Sequence, residues 1–318
     1  MAAEPRPAEA AAELSGWRWY YARAVFPVVL GGALVTSGWI VLRADGWRPG
    51  IMLTIAAAAL AIILSERALP LHRAWNQSRG DVKTDCVHLL VSNGVLPELY
   101  KAGLQLLLLP VALALGAALS SSATAGLWPS RSPFALQVAL ALVVAELGQY
   151  WAHRLGHARE LLWRLHATHH SPERLYWLNA GREHPLGLLL LFGASVAPLL
   201  LLGAGEDILI MYTVFTAVHG LFQHCNIDVR LGPLNWIFSM AELHRWHHHP
   251  DPAIGNHNFG ANLILWDVVF GTRYLPRAPP PETVGIGALP SFPTDYLGQL
   301  AAPFRWRRLH EPRAPRSP

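Results

Sequence analysis

Charge is scarce in this chain. Only 14% of its 318 residues are Asp, Glu, Lys or Arg, against about a quarter in ordinary soluble domains. With 52% hydrophobic residues and a mean hydropathy of +0.26, part of the surface has to be solvated by lipid. Lysine is almost missing: Lys83 and Lys101 are the only two. The net charge of +4 is therefore carried by arginine, concentrated beside apolar runs as at the cytoplasmic flanks of membrane spans. No basic repeat is interleaved with aromatics, which argues against a nucleic-acid partner. Cysteine is limited to Cys86 and Cys225, far apart and in no metal-ligand spacing, so both read as reduced packing residues. No HExxH sequence is present, which disfavours a zincin-type protease. The N-terminus lacks a short apolar segment ending in a cleavage site. Residues 1–16, rich in Ala, Glu and Pro, read as a disordered cytoplasmic tail.

What the chain has in quantity is long uncharged runs. Residues 24–42 are long enough to span a bilayer, and the shorter run 51–65 reads as the return leg of a hairpin. Residues 66–101 mix Arg67, Arg73, Arg79 and Lys83 with Val82, Val87, Leu89, Leu90 and Val91, which predicts a segment lying in the interface plane. A third span is expected over 104–127, a loop over 120–133, and a fourth span over 134–151, broken by Glu146. The runs 186–203 and 208–222 read either as spans or as a re-entrant pair. From residue 278 the chain is rich in Pro and Arg and is expected to be mostly irregular. The resulting division is a tail (1–23), membrane and interfacial helices (24–133), a histidine-rich unit (134–273) and a C-terminal tail (274–318). Cations in the short loops place the N-terminus, the polar segments and the histidines inside, with Arg43 and Arg48 as the exception. Abundant Ala, Leu and Arg with little Lys suits a GC-rich bacterial genome, so a multi-pass protein of a bacterial inner membrane is expected.

Twelve of the 16 histidines lie between His153 and His249, where uniform usage would place about five. Their spacing says more than their number. His153 and His157 (HRLGH) are i, i+4 and share a helical face. His166, His169 and His170 (HATHH) are i, i+3, i+4, and His244, His247 and His248 (HRWHH) repeat that spacing. His249 points about 100° further round and is left out. Neutral imidazole is the commonest protein metal ligand. Eight imidazoles exceed the four of a zinc site and suggest two metals. His184 (REHP), His219 and His224 are further candidate ligands, although the spacing of five puts the last two about 140° apart on one helix. His257 reads as structural or as a support behind the ligands. Glu146, a carboxylate inside an apolar run, is a functional candidate by default and is expected to orient a ligand imidazole. Asn258 and Asp267 are candidates for similar roles.

These residues resemble the fatty acid hydroxylase and sterol desaturase superfamily. The stretches that carry the resemblance are WAHRLGH (151–157), WRLHATHH (163–170), EHP (183–185), FQHCN (222–226), HRWHH (244–248), NFG (258–260) and LWDVVFGT (265–272), within residues 134–273. The resemblance implies an all-α, integral membrane helical bundle with a cytosol-facing, histidine-rich metal-binding cap. It implies a non-haem di-iron centre that uses O2 and external electrons to hydroxylate or desaturate a lipid: a fatty acyl chain, a sterol or a related amphiphile. Its carried-over ligands are His153, His157, His166, His169, His170, His244, His247 and His248, while His184, His219 and His224 match less uniform positions. Some members carry a fused cytochrome b5 domain with an HPGG haem motif. That motif is missing here, so a separate electron-transfer protein is expected to supply electrons.

Two other readings remain open on the residues alone. One is a metal-binding membrane protein without redox chemistry, such as a transporter or a zinc-stabilised scaffold. Transport favours ionisable residues spread through several spans, whereas here only Glu146 is clearly within one. The other is an inactive member that binds lipid, whose mark would be a broken histidine box; none is broken.

Overall fold

A computed structural model describes residues 14–43, 48–119, 127–287, 289 and 291–310. The expected tail up to residue 13, residues 120–126 and the C-terminus from residue 311 lie outside the described residues. Among those described the chain is helical, with no strand beyond two isolated bridges, Pro70 to Ile227 and Phe238 to Leu263.

Two helices, α1 (Trp17–Arg43) and α2 (Arg48–Ala68), form the expected hairpin. α1 begins inside the stretch expected to be tail. Its first turns carry Trp17, Trp19 and Tyr20, all exposed, and the Arg23 guanidinium lies 3.8 Å from the Trp19 ring centroid. Aromatic and arginine side chains of this kind settle at a membrane–water interface, so the helix continues beyond its apolar run. α3 (Val82–Val87) passes through a π-helical stretch, His88–Val95, into α4 (Leu96–Leu119). The segment expected to lie in the interface is therefore in part the start of a long helix. Some of its polar residues face protein: Asp85, His88 and Ser92 are buried, while Arg73, Arg79 and Lys83 are exposed.

The histidine-rich unit follows: α5 (Phe134–Ala158), α6 (Glu160–His170), α7 (Pro185–Leu202), α8 (Glu206–His224) and α9 (Ala241–His247). α5 packs along α7, α4 covers another side of α7, and α1 lies against α2 and α8. At Gly148 a Cβ would overlap the carbonyl of Ala194, so only glycine permits the close α5–α7 crossing.

Among the described residues five helices are long and apolar enough to cross a membrane: Trp17–Arg43, Pro49–Ala68, Val82–Ala114, Phe134–Ala158 and Pro185–Leu202. Their outer faces are bare, with Leu106 81%, Val35 75% and Leu53 71% exposed. Apolar faces of this extent do not persist in water, and the protein is a multi-pass membrane protein. α8 differs, being buried on nearly every side between α1, α2 and α5. It is the central post of the bundle, and His224 sits at its C-terminal end.

The Pro- and Arg-rich C-terminal stretch is more ordered than its composition suggests. Short helices α10 (Pro252–Gly255) and α11 (Leu265–Val269) precede it; α12 (Tyr296–Ala301) and α13 (Trp306–Leu309) lie within it. Leu289, Phe292, Ala302, Trp306 and Leu309 bury an apolar face against Ala167 of α6. The prolines of this stretch leave only short helices, but they do not stop its spaced apolar side chains from docking.

Candidate metal centre

α5, α6, α8 and α9 all end, or nearly end, at one level, and there their imidazoles meet. Two groups form. In one, the ring nitrogens of His153, His157, His166, His170 and His247 lie within 4.8 Å of one another. In the other, those of His169, His224, His244 and His248 do the same. The groups adjoin, with the rings of His170 and His248 stacked at 4.4 Å. Except for half-buried His157, every one of these histidines is buried.

Each HxxHH box serves both groups. On a helix, position i+3 lies on one flank of residue i and position i+4 on the other, about 100° apart. α6 therefore gives its i, i+4 pair, His166 and His170, to the five-imidazole group and His169 to the four-imidazole group. At α9 the assignment is reversed: His244 and His248 go to the four and His247 to the five. α5 adds a second i, i+4 pair, and α8 adds His224 alone.

Five of the nine rings are aimed by their outer nitrogens, whereas Nδ1 of His244 and His248 is buried without a partner. The His153 Nδ1–H donates to the Phe259 carbonyl (2.7 Å), that of His157 to the Asn256 side-chain oxygen (2.9 Å), and that of His247 to the His257 carbonyl (2.8 Å). In the second group, the His224 Nδ1–H donates to the Asn179 side-chain oxygen (3.0 Å), and His169 Nδ1 is 3.1 Å from the Glu183 carboxylate. A proton held on Nδ1 leaves the Nε2 lone pair for a metal.

The inner nitrogens meet the resulting test. Nε2 of His153, His157 and His247 is buried without a hydrogen-bond partner. Successive Nε2 atoms of His224, His244, His248 and His169 stand 2.9, 2.9 and 3.2 Å apart. Two imidazole nitrogens bound at right angles to one ion, at about 2.1 Å each, lie about 3.0 Å apart. Converging lone pairs at that spacing suit a cation. Burial, followed by repulsion from neighbouring imidazoles, holds His166, His170, His244, His247 and His248 well below the usual histidine value of 6.5, so these rings are neutral and ready to ligate at neutral pH.

Two candidates from the sequence stand outside both groups. The His184 ring caps α7, accepting from the Leu186 N–H and donating to the Leu300 carbonyl. His219 stacks on Phe215 and meets Phe26 edge-on. Its angle to His224 on a regular helix turns it away, and α8 does not unwind to bring it back. His249 also stays outside, accepting from the Asp251 N–H.

The three supporting residues named from sequence act on a loop and touch no imidazole. Glu146 accepts from the N–H groups of Ala261 and Asn262, and Asp267 from those of Phe259 and Gly260. Asn258 has φ +56° and bridges the Leu243 and Tyr274 carbonyls through its side-chain amide. Its left-handed conformation lets the carbonyls on either side of it, those of His257 and Phe259, receive His247 and His153. Sequence reading missed Asn179, Asn256 and the orienting role of Glu183. It also missed the buried Arg182–Asp85 ion pair behind them. The available signal was a dense polar stretch, NAGRE (179–183), directly before an apolar helix.

Fold and site together define a helical membrane protein with two adjoining imidazole groups, each able to hold a metal ion. The fatty acid hydroxylase profile matches residues 138–272. Ornithine lipid hydroxylase OlsE of Rhizobium tropici is 38% identical over 280 residues, covering 88% of this chain and 83% of that protein. Alkylglycerol monooxygenase of Danio rerio is 29% identical over 175 residues, 54% of this chain and 38% of that protein. Methylsterol monooxygenase 1 of Rattus norvegicus is 28% identical over 132 residues, 41% and 44% of the two chains. No solved structure matches. The chain belongs to the fatty acid hydroxylase family, whose relatives here are oxidoreductases acting on lipids, and it is an enzyme of that kind.

Proposed function

We propose that the two imidazole groups hold two iron ions and that the protein, with O2 and electrons from a separate donor, hydroxylates an acylated amphiphile of the bilayer. The ligands in this reading are His153, His157, His166, His170 and His247 for one ion and His169, His224, His244 and His248 for the other. The observation that carries it is the pair of adjoining imidazole groups, each held in part through Nδ1, at the ends of membrane helices. Hydroxylation is favoured over desaturation because the relatives are named hydroxylases and monooxygenases. The extent of the match to the ornithine lipid hydroxylase points to an amino-acid-containing acyl lipid as the first substrate to try. The centre faces the cytoplasm of a bacterial cell, the side that the arginine distribution favours.

Iron, when bound, supplies the oxidising power for C–H cleavage that side chains lack. The chain supplies the rest. Neutral rings bind without first losing a proton, the 257–262 loop fixes the directions of His153 and His247, and burial keeps bulk water from His169, His224, His244 and His248.

The test is lipid analysis of cells making the wild-type protein or His169→Ala, alongside metal analysis of the purified proteins. Two irons per chain, O2 consumption and lipids heavier by one oxygen, all reduced in the variant, are expected. A wild-type protein that holds only zinc and consumes no O2 would leave the non-redox reading standing instead.

A further inference from the structure

Two cavities reach the imidazoles, and both open on the same group. One, of about 230 Å³, is bounded by His157, His170 and His247 and by the polar loops around Asn256 and Gly285. The other, of about 250 Å³, lies between α5, α6 and α7. His153 and His166 form its inner wall, and Ala152, Leu155, Leu165, Leu190 and Ala194 are among its apolar lining. Neither cavity is lined by His169, His224, His244 or His248. The two groups are thus unequal with respect to these cavities: both lie against the five-imidazole group, while His169, His224, His244 and His248 are buried away from them.

The second cavity also has a definite depth. Its lining on α7 ends at Ala194, nine residues into a helix that starts at Pro185 (194 − 185), or about 14 Å along the axis. With the N-terminus of α7 set at the interface, that is within one leaflet, whose hydrocarbon layer is about 15 Å thick. His153 lies five residues before the end of α5 (158 − 153), about 8 Å from the interface end of that helix. Leu155 and Leu190 are partly bare toward the lipid side, at 40% and 48% exposure. The α5–α6 turn between the lining residues Gly156 and Leu162 carries exposed Arg159.

We propose that this cavity admits one alkyl chain of a bilayer lipid sideways between α5, α6 and α7. The headgroup stays at the interface beside Arg159, and the half of the chain nearest the headgroup lies against His153 and His166. A lipid in its own leaflet presents its carbons in order of depth, headgroup first and terminal methyl last near the midplane. A centre in the outer half of that leaflet meets head-proximal carbons. Reaching it with the terminal methyl would require the chain to fold back into the interface. Lipid oxidation at this position rests on the function proposed above; occupancy of the cavity does not, and the two are tested separately.

The test uses the metal-loaded protein in phosphatidylcholine vesicles doped with either of two photoreactive phospholipids. One carries a diazirine on the acyl chain close to the ester, the other at the terminal methyl. Labelled peptides are mapped after irradiation. The head-proximal probe is expected to label 152–166 and 187–194, and the terminal probe is not. Ala194→Phe, which fills the cavity, is expected to cut that labelling about tenfold, the discrimination that a pocket makes on steric grounds. Leu106→Phe on the outer face of α4 is expected to leave it unchanged. Full metal content shows that the Ala194→Phe variant is folded; if metal is lost, Leu190→Trp at the cavity mouth serves instead. Equal labelling of the cavity by both probes, or labelling indifferent to the filling substitution, overturns the proposal even if lipid oxidation is found. Selective head-proximal labelling in a protein that oxidises nothing upholds the cavity and overturns the assigned reaction.

Discussion

At the scale of single residues, the centre depends on what stands behind each imidazole. Glu183 puts one carboxylate oxygen 3.1 Å from His169 Nδ1 and leaves the other buried without a partner. Asn256 performs the corresponding task for His157. The same Glu183 oxygen is 3.9 Å from His166 Nδ1, beyond hydrogen-bond range, so its loss falls mainly on His169 and should be separable from that of Asn256. Glu183→Gln is expected to weaken the four-imidazole site by about 10- to 100-fold, and Asn256→Ala the five-imidazole site by a similar factor. Competition titration with a chelator should then show one metal released early and one retained, whereas simultaneous loss of both would contradict the division into two sites. Asn258 offers a second test. Ala at that position must hold a left-handed φ and forfeits the bridge to Leu243 and Tyr274, a loss of about 2–4 kcal/mol. Asn258→Gly removes the bridge but not the conformational freedom, so it should recover part of that loss in thermal unfolding. Equal destabilisation by the two would mean that the backbone angle is not what matters.

At the scale of elements, helical spacing made much of the arrangement legible in advance. The i, i+3, i+4 pattern put each set of imidazoles on one side of its helix, and nine of the eleven histidines named from sequence converge. The division of each box between two groups was not legible, because it depends on how α6 and α9 face each other, and one helix alone does not encode that. His219, about 140° round α8 from His224, could have joined the centre only by local unwinding, and α8 stays helical through His224. The supporting loop was hidden more deeply. Its contribution is made by main-chain carbonyls, which every sequence has at every position, and only the side chains that pin the loop, Glu146, Asn258 and Asp267, stood out. The C-terminal stretch was underrated because its prolines conceal a docking face. Trp306, 5% exposed against Ala167, lies directly behind the α6 box. Trp306→Ala is expected to cost about 3 kcal/mol and to lower metal retention with it, seen as a lower unfolding temperature and substoichiometric metal. A variant that unfolds earlier yet keeps both metals would show that this face stabilises the fold without supporting the centre.

At the scale of the whole molecule, the metal-free protein should be sensitive to acid. His166, His170, His244, His247 and His248 titrate well below 6.5 when folded and near 6.5 when unfolded, so below that pH the unfolded chain binds more protons. Their contribution to stability is complete above about pH 6.5 and is lost as pH falls. Unfolding of chelator-treated protein between about pH 7.5 and pH 5 should show a decline steeper than one proton per molecule, and a flat profile would mean that these rings are already charged in the fold. The sharing of each box between two groups also has a consequence for how the protein is made. His153 and His248 are 95 positions apart (248 − 153), a gap of about 5–20 s of synthesis. Throughout that interval the nascent chain displays half-built sets of imidazoles, and neither set is complete before α9 has left the ribosome. On the proposed function, metal loading is consequently a late event of biogenesis, and a cell that makes this enzyme has to keep stray cations from the unfinished clusters until the last helix is seated.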